Sequence, residues 1–133
     1  MRRLFADTFF FFAYLSAEDA AHGAASQYFE GFDGRVVTTE WVLTELADGM
    51  AGIEDRATFT EFHEALRSDP SVTIIPSSPE LFAEGLALYS RRKDKEWTLT
   101  DCISFVVMKR EELGEALTGD HHFKQAGFTT LLE

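Results

Sequence analysis

The sequence predicts an α/β domain: a three-layer α/β/α sandwich built on a mainly parallel sheet of about five strands. Three observations carry this. Short β-rich runs alternate with helical patterns along the whole chain. Most of the helical patterns open on a recognisable cap. The hydrophobic fraction is 45% over 133 residues, with 13 phenylalanines, which is enough to bury a real core in one domain spanning 1–133.

The elements follow in order. Leu4 to Ala6 reads as a short buried strand, and Thr8 can cap a helix running through Leu15. Ser16 with Asp19 resembles a capping box. Behind it Ala21, Ala24, Ala25, Tyr28, Phe29 and Phe32 recur at helical spacing, and Gly31 and Gly34 bracket the end. Arg35 to Thr38 is the second strand. Thr38 or Thr39 caps a helix carrying Val42, Leu43, Leu46, Ala47 and Met50. A further helix covers Glu54 to Arg67 and stops at Asp69-Pro70, before a third strand from Val72 to Ile75. Ser77, Ser78, Pro79 and Glu80 open the next helix, with an early proline that suits a first turn, and it reaches about Arg91. After a charged break from Arg91 to Glu96, Thr98 and Asp101 cap a helix to about Glu112, with Gly114 as its stop. Glu115 to Thr118 and Phe128 to Leu132 are the fourth and fifth strands.

Composition excludes several classes of function. The net charge of −11 argues against a general binder of nucleic acid or anionic membrane. The single cysteine, Cys102, allows no intramolecular disulfide and suits a reducing cytoplasm. Two arginines and an apolar stretch at the start resemble a signal peptide superficially, but Asp7 interrupts them. No run reaches the roughly 18 apolar residues that span a membrane.

Asp7 is the residue that most needs an explanation. It follows an apolar strand and precedes Thr8 and four consecutive phenylalanines. A charge in such surroundings is costly unless it is paired or binds a metal. Parallel sheets place their sites at the carboxyl ends of the strands. Asp7 ends the first strand and Asp120 follows the fourth. Asp101 sits at a helix start on the same edge, and Glu45 lies one turn into the helix after the second strand. Each has an ordinary alternative: Asp101 as a cap favoured by the helix dipole, Asp120 as a turn residue, Glu45 as a solvated helix residue. Together they would repel, since two carboxylates ~4 Å apart oppose each other by ~4 kcal/mol at an effective dielectric of ~20. Oxygen ligands without a histidine or cysteine pattern favour Mg²⁺, with Mn²⁺ as the alternative. His121 and His122 match no zinc spacing and read as surface or helix-start residues, His22 and His63 as structural, and Cys102 as a small buried residue. There is no Gly-rich phosphate loop.

The stretches LFADT, VVTTEWVLTEL, KEWTLTDCISFVVM and ALTGDHHFKQAGF together resemble the PIN-domain family, in its prokaryotic VapC-like toxin branch. The resemblance covers nearly the whole chain. It implies a PIN-like α/β/α sandwich and metal-dependent endoribonuclease activity, as the toxin of a type II toxin–antitoxin pair. The family's catalytic and metal-binding acids fall on Asp7, Glu45, Asp101 and Asp120, with Mg²⁺ or Mn²⁺ as cofactor. Thr8, Thr98, Thr100 and Thr118 are the hydroxyls available to support them. Where relatives often carry a small polar residue two places after the first aspartate, this chain has Phe9. Asp94 falls where relatives often have an aspartate, without an assigned role.

Two surfaces follow as expectations. Arg91, Arg92, Lys93 and Lys95 precede Asp101 and form a basic rim able to hold an RNA backbone; a solvated loop is the alternative. Phe9, Phe10, Phe11 and Phe12 are spread around the helix at ~100° per residue, so they cannot all face one core. The outward-facing ones are expected at a homodimer or cognate-antitoxin contact, unless a second helix layer covers them. The other functional reading is a non-catalytic RNA- or protein-binding PIN module that retains a metal site. No membrane association is expected, and the cytoplasm is the expected compartment.

Overall fold

The computed structural model describes residues 1–132. Its elements are β1 (Arg3–Ala6), α1 (Thr8–Leu15), α2 (His22–Gly31), β2 (Arg35–Thr39), α3 (Glu40–Gly49) and α4 (Arg56–Ser68). They continue as β3 (Val72–Ile75), α5 (Pro79–Arg91), α6 (Leu99–Arg110), β4 (Glu115–Leu117), α7 (His121–Gln125) and β5 (Thr129–Thr130). The five strands form one sheet in the order β3-β2-β1-β4-β5. Every neighbouring pair is parallel, with Phe5 opposite Val37 on one side and Ala116 on the other.

This order fixes where a site can form. The chain steps from β1 to β2 to β3 in one direction, then crosses back past β1 to β4 and β5. Right-handed crossovers therefore put α1–α4 on one face and α5–α7 on the other. Within the layers α1 meets α2 and α3, α3 meets α4, and α6 meets α5 and α7, while α3 and α6 also touch each other across the layers. The chain reverses direction between β1 and β4. The crevice at their carboxyl ends is where such sheets bind ligands.

Both layers are aromatic. On the first, Phe10 packs edge-on to Phe29, and Phe11 edge-on to Phe62. On the second, Phe105 packs edge-on to Trp97 and Phe123, and Phe123 also faces Phe5 of β1. Such edge-to-face pairs add to the area they bury. Gly85 lets α5 approach α6, because a side chain there would run into Ile103. Cys102 is on the buried face of α6, and burial pushes its thiol up to about 11, so it is inert packing. His22 ties α2 to α1 through the Ala13 carbonyl at 2.8 Å.

Several boundaries differ from those predicted, each for a local reason. Asp7, not Thr8, caps α1, since its carboxylate takes the Phe10 N–H. Ser16 closes α1 instead of opening α2; Asp19 spends its side chain on Ala21 N–H in the intervening turn, and α2 starts at His22. The helix from Thr98 ends at Arg110, and Glu112 rather than Gly114 takes the left-handed position, at φ 57°. The short helix α7 was not predicted. Its five residues are too few to show a period, and only the Asp120 cap marks it.

Candidate active site

Asp7, Asp101 and Asp120 meet at the predicted crevice, and each is placed by a helix start. Asp7 is only 6% exposed. Its Oδ1 accepts the Phe10 N–H at 3.1 Å, and its Oδ2 accepts the Thr118 hydroxyl at 2.8 Å. The Thr118 oxygen in turn accepts the Asp120 N–H at 2.9 Å. One buried threonine at the end of β4 thus holds the acid of β1 in register with the acid that follows β4. Asp120 caps α7 by accepting the His122 N–H at 2.9 Å. Asp101 is the third residue of α6 and completes a capping box: its Oδ2 accepts Thr98 N–H at 3.2 Å, and Thr98 accepts Asp101 N–H at 3.0 Å.

The electrostatics report crowding. Burial pushes the Asp7 carboxyl up to about 8, and the charges of Asp120 and Asp101 push the same way. Hydrogen bonds from Thr118 and Phe10 oppose them without prevailing. Asp101 is also raised, first by burial and then by Asp120, against the pull of Thr98 and His122. Three coupled carboxylates in one half-buried crevice call for a cation. The oxygen donors present suit a hard divalent ion. Nitrogen is also at hand, since an oxygen of Asp120 and ring nitrogens of His121 and His122 lie within 4.8 Å of one another.

Glu45 is tied to none of these three acids by a hydrogen bond among the described residues. It is exposed on α3, and its side chain makes no hydrogen bond or ion pair among the described residues. Its helix does start on the same edge, because Thr39 at the end of β2 caps α3 through Val42 N–H. Of the four threonines, Thr118 and Thr98 hold acids, Thr8 reaches the Val42 carbonyl at 3.5 Å, and the Thr100 hydroxyl makes no hydrogen bond among the described residues. Thr38, the other cap candidate, instead donates its buried hydroxyl to the Ala6 carbonyl at 2.8 Å and pins β1 beside Asp7.

His122 is the participant the sequence reading passed over. Its Nδ1 lies 3.2 Å from Asp101 Oδ2 and 3.4 Å from Asp120 Oδ1. Adjacent histidines match no metal-ligand spacing, so only the Asp120 cap, which starts a helix at that point, could have signalled it.

The basic rim is partly spoken for. Arg92 pairs with Asp94 at 2.9 Å and lies 4.9 Å from the Trp97 ring centre. Lys95 sits 3.9 Å from the same carboxylate. Asp94, which lacked a role, therefore anchors two of the cations, and the Arg92 hydrogen bond holds its carboxyl down at about 2. Lys93 has no ion pair among the described residues. It lines an open cleft of about 1050 Å³ with Tyr89, Arg92, Lys95 and Trp97, and the cleft ends at Thr98, the residue that holds Asp101.

The phenylalanine run divides evenly. Phe10 and Phe11 are fully buried, because α2 and α4 supply the second layer over them. Phe9 and Phe12 remain 39% and 38% exposed, leaning on Gly119 and Gly49.

The PIN-domain family model matches residues 4–129. The chain belongs to the PIN-domain family. This PIN domain is similar to the 23S rRNA-specific endonuclease VapC20 of Mycobacterium tuberculosis, at 29% identity over 128 residues, covering 94% of this chain and 95% of the relative. The crystal structure of VapC20, a sarcin-ricin loop cleaving toxin, superposes with a TM-score of 0.85 at 26% identity, covering 98% of this chain and 99% of that one. FitAcB from Neisseria gonorrhoeae shares the fold, with a TM-score of 0.66 at 19% identity over 96% of each chain.

Proposed function

We infer that this PIN domain is a divalent-metal-dependent endoribonuclease and acts as the toxin of a toxin–antitoxin pair. The observation that carries the reading is the coupling of Asp7, Asp101 and Asp120 at the point where the sheet reverses direction. The similarity to an rRNA endonuclease over nearly the whole chain supports it. Asp7, Asp101 and Asp120, with Glu45 of α3 as the fourth acid, would hold Mg²⁺ or Mn²⁺. When bound, such an ion lowers the pKa of a coordinated water and offsets charge on the scissile phosphate.

The chain's own groups do the positioning. Thr118 and the α1 start fix both oxygens of Asp7. Thr98 fixes Asp101. Lys93, with Arg92 and Lys95 around the cleft and Arg91 in the adjoining pocket, supplies the positive edge for a phosphate backbone that the chain as a whole would repel. The substrate is RNA, and ribosomal RNA is the first to try. Labelled ribosomal RNA and a DNA of the same sequence, incubated with Mg²⁺, Mn²⁺ or EDTA, test the reading. Cleavage of RNA that EDTA stops is expected. RNA bound but never cut with any ion would favour the non-catalytic module.

The exposed Phe9 and Phe12 are assigned to protein contacts, with the antitoxin first and a homodimer second. No helix among the described residues is long and apolar enough to cross a membrane, and the cytoplasm is the assigned compartment. A Phe9→Ser/Phe12→Ser double variant should lose capture of the antitoxin encoded beside this chain, or shift to a smaller species by light scattering, while still cutting RNA. Unchanged capture and unchanged mass would rule out the assignment.

A further inference from the structure

We propose that His122 is a direct ligand of the catalytic cation through Nδ1, and that this nitrogen donor biases the site toward Mn²⁺ over Mg²⁺. The inference rests on the metal-dependent reading above and extends it to a residue outside the acidic set. Nδ1 lies 3.2 Å from Asp101 Oδ2 and 3.4 Å from Asp120 Oδ1. Adjacent ligands on an octahedral ion with bonds of ~2.1 Å stand about 3 Å apart. Nδ1 therefore already stands at adjacent-ligand distance from an oxygen of each acid.

A hydrogen bond alone accounts for less. One ring N–H points well at only one of two carboxylates, and Asp120 Oδ1 already accepts the His122 backbone N–H. The ring is also held in place. His122 is the second residue of α7, and its side chain is 20% exposed against 65% for His121. The Nδ1 of His121 is 3.8 Å from Asp120 and makes no ion pair with Asp101, so His122 is the ligand. Imidazole nitrogen suits transition metals, whereas Mg²⁺ favours oxygen donors and keeps its waters.

Titration calorimetry of the full chain without RNA, with MgCl₂ and MnCl₂ separately, tests this. His122→Ala should weaken Mn²⁺ by about tenfold or more. Mg²⁺ should change by no more than about threefold. His122→Asn offers an amide oxygen near the Nδ1 position. It should hold Mg²⁺ while the preference for Mn²⁺ falls, and it stands in if the alanine variant does not fold by melting in EDTA. Pulsed electron paramagnetic resonance of the Mn²⁺ form should show nitrogen coupling in the parent and in His121→Ala, and none in His122→Ala. A Mn²⁺/Mg²⁺ ratio unchanged in both His122 variants overturns the proposal, as does nitrogen coupling that is absent or survives His122→Ala. If Asp120→Asn abolishes binding of both ions while His122 variants alter neither, the nuclease site stands and the ligand assignment falls. If the parent binds neither ion, both fall.

Discussion

Asp7→Asn will abolish RNA cleavage and, in EDTA at pH 8, raise the melting temperature. The sign follows from linkage. Burial lifts the folded carboxyl to about 8, above the ~3.9 of an unfolded aspartate. Between those values the folded state holds a proton that the unfolded state has released. The contribution of this group to stability therefore falls as pH rises from ~4 to ~8, and the whole penalty is in place above that. Asparagine carries no such penalty and keeps an oxygen for the Phe10 N–H. It does disturb the hydroxyl bond from Thr118, at about 1 kcal/mol. A net gain on the order of 2–4 kcal/mol at pH 8, roughly 10 °C in melting temperature, should shrink toward zero near pH 4. Cleavage should drop by about 10³-fold, because on the proposed reading Asp7 is the acid that the central strand would contribute to the ion. Melts in EDTA across this pH range, beside a cleavage assay, measure both. A variant that melts lower than the parent at pH 8 and still cuts RNA would show Asp7 to be a cap and nothing more.

How much of this was legible in the sequence differs between fold and site. The strand–helix alternation and the Thr39, Ser78 and Thr98 caps are strong local signals, and those helices begin where predicted. Asp7 was legible because its apolar neighbours leave a carboxylate few ordinary explanations. Asp120 and Asp101 were legible through strand ends and helix starts. The rest depends on tertiary geometry. His122 joins the site only because Asp120 starts a five-residue helix, too short to carry a period. Thr38 reads as a strand residue or a cap until β1 lies beside it. Which phenylalanines stay exposed depends on where α2 and α4 settle, and helical angles alone do not fix that. Asp94 shows the same limit in reverse: a charged loop residue gains its role only when Arg92 and Lys95 fold back onto it.

Asp101 makes the sharper test, because its structural and chemical roles can be separated. As a cap it needs only an oxygen for the Thr98 N–H, and asparagine supplies one. The lost charge at the helix start costs ~0.3–1 kcal/mol. Removing this charge returns a similar amount, since burial first, and then Asp120, raise the Asp101 carboxyl in the parent. Asp101→Asn should therefore stay within about 1 kcal/mol of the parent in EDTA. Asp101→Ala breaks its half of the capping box and should lose ~0.5–2 kcal/mol. Both should cut RNA at least ~10²-fold more slowly, because both remove the carboxylate beside His122 that, on the proposed reading, would hold the ion. If Asp101 were structural only, activity would follow stability, with asparagine active and alanine impaired. Equal loss of cleavage in two variants of unequal stability is the result that places Asp101 in the chemistry, and an asparagine variant with parental activity would remove it.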